Sequence, residues 1–468
     1  MLSEDILFLP VSELSRRIRA RKLSPVELAE SYLDRGRKLG PELNAYATLT
    51  PDLALAQARA AEKEIAAGKY RGPLHGIPYA AKDLLAVKGY PTTWGARPYA
   101  GRHFDYDATV IRKLNAAGAV LLGKAAMIEL AGGMGYRYAS ASATGAAKNP
   151  WNTDHWTCGS SSGSGAIMAS GLAAFAIGTE TWGSIICPSG FCGITGLRPT
   201  FGRVSRYGAM ALSYSMDKIG PMCRTAEDCD MVLQVISGHD PEDAGSLPAS
   251  AAKYTGAPVA GHLRMGWMIN AWKEVAPEIN ARVSAARKVL ESSGAVSMKE
   301  VSLPEGPWET AAGTIVSVEG ATAFRSLIQS GKVAELADPL GQIGGYINEE
   351  ISASDFMLAQ RIRGILKKKI DELFTQNQVD VLVAASLPVT ASKVDANLDL
   401  TLTFSDPAGG IGNICGLPAI SVPCGFGNDN LPAGIQFIGR ALDDARVVQA
   451  ARLFQSRTDW HTKRPNLS

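Results

Sequence analysis

The chain is short of several things that would assign it to a broad class. Its 468 residues carry 47 basic and 45 acidic side chains, so there is no excess of one sign to hold nucleic acid or an anionic membrane. No run of about 20 residues is apolar enough to span a bilayer. The seven cysteines (Cys158, Cys187, Cys192, Cys223, Cys229, Cys415, Cys424) include no CxxC pair, and an odd number fits neither a disulfide framework nor a zinc ribbon. A reducing compartment, most simply the cytoplasm, is the expectation. The acidic start Met1-Leu2-Ser3-Glu4-Asp5 lacks the basic region of a signal peptide. Histidine is scarce, at six, with no HExxH and no paired His/Cys spacing, so no metal site is expected. Low-complexity linkers and internal repeats are absent.

What is present is an ordinary globular balance, 46% hydrophobic and 20% charged, with glycine in excess at 48 residues. Ser24-Pro25-Val26-Glu27 reads as a helix start with a capping box, the helix running to about Leu39 and stopping at Gly40. A second helix is expected from about Asp52 to Ala67. Asp107 should open a third, ending at Gly118 and followed by the apolar run Ala119-Val120-Leu121-Leu122. Helix, glycine, short buried strand is the α/β pattern. Helical patterns dominate from 238 to 399. Ala419–Pro423 and Gly434–Ile438 read as core strands, with a helix from Asp443 to Gln455 after them.

The middle of the chain is unusual. Between Lys148 and Arg198 the only Asp, Glu, Lys or Arg residues are Asp154 and Glu180, yet the stretch is dense in Ser, Thr and Gly. Buried hydroxyls cost free energy unless hydrogen-bonded. They therefore mark either a loop that satisfies its own backbone or a site.

Several chemistries compete for these residues. Gly118-Ala-Val-Leu-Leu-Gly123-Lys124-Ala125 nearly matches a P-loop but has Ala125 where Ser or Thr must hold magnesium, and an apolar interior. Gly159-Ser160-Ser161-Ser162-Gly163 fits G-x-S-x-G around Ser161, but Trp156-Thr157-Cys158 is a poor strand to precede a nucleophile elbow, and no downstream histidine suits a triad. The same loop could cradle phosphate on the helix that Ala166-Ile167-Met168-Ala169 suggests, or be a capped glycine turn. A serine nucleophile without histidine needs another base. Lysine serves if burial lowers its pKa. Lys82, at the end of Ile77-Pro78-Tyr79-Ala80-Ala81, is the candidate; on pattern alone an ordinary Lys82–Asp83 surface pair is the simpler reading.

Taken together, a series of segments in order along the chain resembles the amidase signature family of serine hydrolases. Gly76-Ile77-Pro78 leading to Lys82-Asp83 is similar to its catalytic-lysine segment, and Gly123–Ala131 to its GKTNMxEFA segment. Asn149-Pro150-Trp151 matches NPW, Gly159–Ser164 resembles GGSSGGS, and Gly178–Ile185 resembles GTDTGGSI. Gly196–Ser205 resembles GLKPTxGxVS, and Gly416–Pro423 with Gly434–Gly439 match the C-terminal core strands. The resemblance spans about Leu23 to Phe454 and is weakest between Gly238 and Asp399.

This resemblance implies one large α/β/α domain around a mixed, mostly parallel sheet flanked by helices. Within it lie N-terminal helices (1–70), a catalytic core (71–237), a variable helical elaboration (238–399) and C-terminal core strands with a helix (400–468). It implies a Ser–cis-Ser–Lys triad of nucleophile Ser184, bridging Ser160 and base Lys82, with a cis Gly159–Ser160 bond. Backbone N–H groups of Thr181, Trp182, Gly183 and Ser184 would form the oxyanion hole, and Gly132 and Gly133 would line the substrate pocket. No cofactor or metal is implied. The implied activity is hydrolysis of a C–N acyl bond in a small amide, aryl amide, carbamate (urethane) or ester by a monomer or homodimer. A glutaminase subunit of a tRNA-dependent amidotransferase ranks second, and a nucleotide- or phosphate-binding protein third. Three positions depart from the family: Trp182 for a glycine, Ile186 for an arginine and Glu180 for an aspartate.

Overall fold

The computed structural model describes residues 2–257, 261–403 and 405–467; Met1, at the head of the acidic start, lies outside them. Thirteen strands are described. β1 (Tyr46–Leu49), β2 (Pro78–Lys82), β3 (Val120–Ala125), β6 (Phe175–Glu180), β7 (Thr195–Arg198), β8 (Lys218–Cys223), β9 (Leu263–Met268), β10 (Val296–Val301), β11 (Val381–Ala385), β12 (Ala419–Phe426) and β13 (Pro432–Gly439) form one sheet. Its order is β1-β3-β2-β6-β8-β7-β12-β13-β11-β9-β10, and β4 (Lys148–Asn149) pairs separately with β5 (Asn152–Trp156). Every residue of β2, β3, β6, β7, β8, β11 and β13 is buried. Helices therefore cover both faces, which explains near-continuous apolar runs in place of alternation.

The sheet is mixed, as expected, but antiparallel pairing predominates over the parallel pairing anticipated. β3-β2, β2-β6, β11-β9 and β9-β10 are parallel; the other six neighbouring pairs are antiparallel. The reason is local in part, since β12 and β13 are joined by the short turn at 427–431 and must run in opposite directions. Residues 238–399 also do more than add helices. They supply β9, β10 and β11, which extend the sheet, and the 25-residue helix Ala353–Asn377.

Helix boundaries moved for identifiable reasons. The helix capped by the Ser24 hydroxyl runs past Gly40 to Leu43 and ends at Asn44 in the left-handed region. Gly40 lies inside the helix and does not stop it. The third helix opens at Thr109, because the Asp107 carboxylate accepts the Lys88 N–H and does not cap.

For the site, the decisive feature is that β2 and β6 are parallel neighbours, with Tyr79 opposite Phe175 and Ala81 opposite Ile177. Lys82 is the last residue of β2, and the 181–184 turn leaves the end of β6. Both therefore emerge at the same carboxyl edge of the sheet, where α/β folds place their ligands.

Candidate active site

Lys82 is fully buried. Its Nζ donates to Ser160 Oγ at 2.7 Å, Ser161 Oγ at 3.0 Å and Thr179 Oγ1 at 3.0 Å. The Asp83 surface pair does not form: Asp83 is equally buried and its carboxylate meets Lys124 Nζ at 2.9 Å. Lys124 thus belongs to this internal ion pair on a strand, not to a phosphate loop. Burial brings the Lys82 ammonium down from 10.5 to about 7, against the opposing pull of Asp217 and Glu180.

Ser160 Oγ in turn donates to Ser184 Oγ at 2.9 Å, which completes an unbroken Nζ–Oγ–Oγ chain. The Gly159–Ser160 peptide is cis. A Cβ on Gly159 would stand 2.5 Å from Ile128 Cγ1, so only glycine fits before Ser160. Ser161 is not a nucleophile. Its hydroxyl donates to the Thr179 carbonyl at 3.1 Å and accepts from both Thr179 N–H and Lys82, leaving no proton to a base. Sequence reasoning missed Thr179 and weighed Ser161 only as an elbow nucleophile, not as a partner of Lys82. Both lie inside quoted motifs, but their bonds to Lys82 join segments 79 and 97 positions from it.

The turn after β6 is held by Glu180. One carboxylate oxygen accepts the N–H groups of Ile185 (2.8 Å) and Ile186 (3.0 Å), the other Arg198 Nη1 (2.7 Å) and Asn413 Nδ2 (3.0 Å). Burial alone would raise the Glu180 pKa, but Arg198 and Lys218 outweigh it and bring it to about 2. Thr181 Oγ1 donates to Asp217 at 2.5 Å. The left-handed backbone angle falls on Gly183 (φ 81°), so Trp182 needs no glycine-like conformation. The Trp182 indole instead donates to Asp406 Oδ2 at 2.9 Å. Among the described residues, the N–H groups of Thr181, Trp182, Gly183 and Ser184 have no acceptor within the chain.

Beside this turn lies a cavity of about 290 Å³ whose walls include Leu84, Ala131, Thr181, Met210, Leu212 and Lys218. Ala131 reaches it. Gly133 is packed against Leu212 and Phe324, and Gly132 against Tyr136. The cysteine expectation needs correction: Cys158 and Cys187 form a disulfide, with Cα atoms 5.9 Å apart, while the other five are free and buried. Partners 29 positions apart meet only because the loop before Ser160 and the helix Ile186–Cys192 pack together. The inference from cysteine count to a reducing compartment loses its footing. Among the described residues no group of three or more His, Cys, Asp or Glu could hold a metal ion, and no helix is long and apolar enough to cross a membrane.

A family model described as Amidase matches residues 27–448. A glutamyl-tRNA(Gln) amidotransferase subunit from Chloroflexus aggregans is 37% identical over 493 aligned positions, covering 99% of each chain. The solved peptide amidase of Stenotrophomonas maltophilia superposes with a TM-score of 0.83 at 29% identity, covering 96% of each chain. The solved glutamyl-tRNA(Gln) amidotransferase subunit of Thermotoga maritima gives 0.80 at 26% identity, covering 99% of this chain and 98% of that one.

Proposed function

We propose that this chain, which belongs to the amidase signature family, hydrolyses a C–N acyl bond through an acyl-enzyme on Ser184. The observation that carries this is the Lys82–Ser160–Ser184 chain at 2.7 and 2.9 Å. Neutral Lys82 takes a proton from Ser160 as Ser160 takes one from Ser184, whose Oγ attacks the carbonyl carbon. The carbonyl oxygen becomes an oxyanion, received by the unspent N–H groups of the 181–184 turn. Ser160 passes a proton to the departing nitrogen, which leaves as amine or ammonia. Water, deprotonated by the same relay, then adds to the acyl carbon and frees Ser184 with the acid. A lysine near 7 suits this exchange, because it both accepts and returns a proton close to neutrality.

The proposed substrates are small amides, aryl amides, carbamates or esters, taken by a monomer or homodimer. The curated relatives favour a second reading over this free-standing one: the glutaminase half of a tRNA-dependent amidotransferase, working with partner subunits. One experiment tests both. Labelling by a fluorophosphonate, lost in Ser184→Ala, supports the acyl-enzyme; an unlabelled wild type refutes it. Turnover of p-nitroanilides and carbamates by the isolated chain supports the first reading. Ammonia release from glutamine that requires co-expressed partners supports the second.

A further inference from the structure

The triad does not account for the bond between Cys158 and Cys187. Cys158 lies two residues before the bridging Ser160, and Cys187 three residues after the nucleophile Ser184. The disulfide therefore closes a covalent ring that contains both hydroxyls of the relay, β6 and the whole 181–184 turn. Within a satellite apolar cluster, the sulfur-bearing residues sit among Ile128, Trp156 and Phe191, apart from the main core. Cys158 also has φ 66°, in the left-handed region that disfavours any side chain. Such a conformation persists in a non-glycine residue only where its surroundings impose it.

We infer that Cys158 and Cys187 are positioning residues of the catalytic relay. Their bond holds the backbone at 158 in its left-handed state and so fixes the Ser160–Ser184 separation at which the proton passes. Without the tether, 158 relaxes toward ordinary angles and carries Ser160 with it. A displacement of about 1 Å in such a relay costs on the order of 10²-fold in rate. Substrate binding is not involved, because neither residue lines the cavity beside the turn. A loosened loop also admits water to Lys82 and moves its pKa back toward that of free lysine.

The inference rests on the Ser–Ser–Lys reading, and the test separates the two. Purified enzyme, denatured without reductant, should titrate five thiols, in keeping with one bridge and five free cysteines. Cys158→Ala/Cys187→Ala should lower kcat by roughly 10- to 100-fold with KM changed less than about threefold. Its pH–rate inflection should also move to higher pH. Cys158→Gly/Cys187→Ala, in which glycine takes the left-handed angle without strain, should recover most of the lost kcat. That rescue is the readout a merely structural bridge would not give. Seven thiols in a fully active enzyme would overturn the inference. So would an Ala/Ala variant with unchanged kcat and pH profile, a loss that tracks only the folded fraction by near-ultraviolet circular dichroism, or a Gly/Ala variant no better than Ala/Ala. Failure of fluorophosphonate to label the wild type would strike the triad reading itself.

Discussion

Replacing Thr179 with valine should move the pH dependence of catalysis, and the direction is set by the geometry. An ordinary lysine at 10.5 would be neutral at pH 7 in about one molecule in three thousand. With Lys82 at about 7, half are neutral there, so kcat/KM should rise about tenfold per pH unit below neutrality and level off above it. Lys218 is also brought by burial to about 7, so a wild-type profile alone does not say which lysine is titrating. Thr179 separates them. Its hydroxyl accepts from Lys82 Nζ at 3.0 Å, whereas Lys218 Nζ donates to the backbone carbonyls of Met216 and Thr181. A hydrogen bond to a charged group contributes roughly 1.5–3 kcal/mol, and the neutral amine keeps part of it. Thr179→Val should therefore disfavour the ammonium by a net ~1 kcal/mol and lower the inflection by somewhat less than one pH unit. The assay is steady-state hydrolysis of a p-nitroanilide between pH 5 and 9, in wild type and variant. An inflection that stays or rises in Thr179→Val, or a flat wild-type profile, refutes Lys82 as the base.

Three further perturbations follow from the same geometry. Ser184→Ala and Lys82→Ala should each lower kcat by at least ~10³-fold while the fold remains, measured by single-turnover hydrolysis beside circular dichroism. Glu180→Gln leaves the buried Arg198 guanidinium without its charge partner. A cost of about 3–5 kcal/mol should appear as a lowered Tm, and an unchanged Tm would refute a stabilising role for the Arg198–Glu180 pair. Trp182→Phe removes only the indole donor to Asp406, so kcat should fall less than about tenfold, since the backbone N–H at 182 stays. A loss as large as that of Ser184→Ala would place the ring itself in the reaction.

The segments of the proposed relay were legible because motif spacing is local, whereas their support was not. Lys82, Ser160 and Ser184 came from ordered resemblance, and the charge-poor stretch between 148 and 198 marked the interior. Nothing in the neighbourhood of Thr179 or Ser161 says that a lysine about a hundred positions away will donate to both. The disulfide escaped for the same reason: an odd cysteine count speaks to frameworks, not to one pair brought together by the fold. Strand direction was misjudged because buried strands such as β8 and β13 look alike whichever way they run. Glu180 stood out as a departure, but its clamp on Ile185, Ile186 and Arg198 forms only in the folded turn.

Lys82 and the 181–184 turn hang from the ends of two adjacent parallel strands. Their spacing is then inherited from the roughly 4.8 Å repeat of the backbone ladder, a length that side-chain substitution barely alters. Walls of the neighbouring cavity can be rebuilt, residue by residue, while Lys82 and the turn keep their separation. Under the proposed function, a scaffold of this kind lets selectivity drift without retuning the relay, and variants of the cavity wall at Ala131, Met210 and Leu212 are the ones expected to change the substrate.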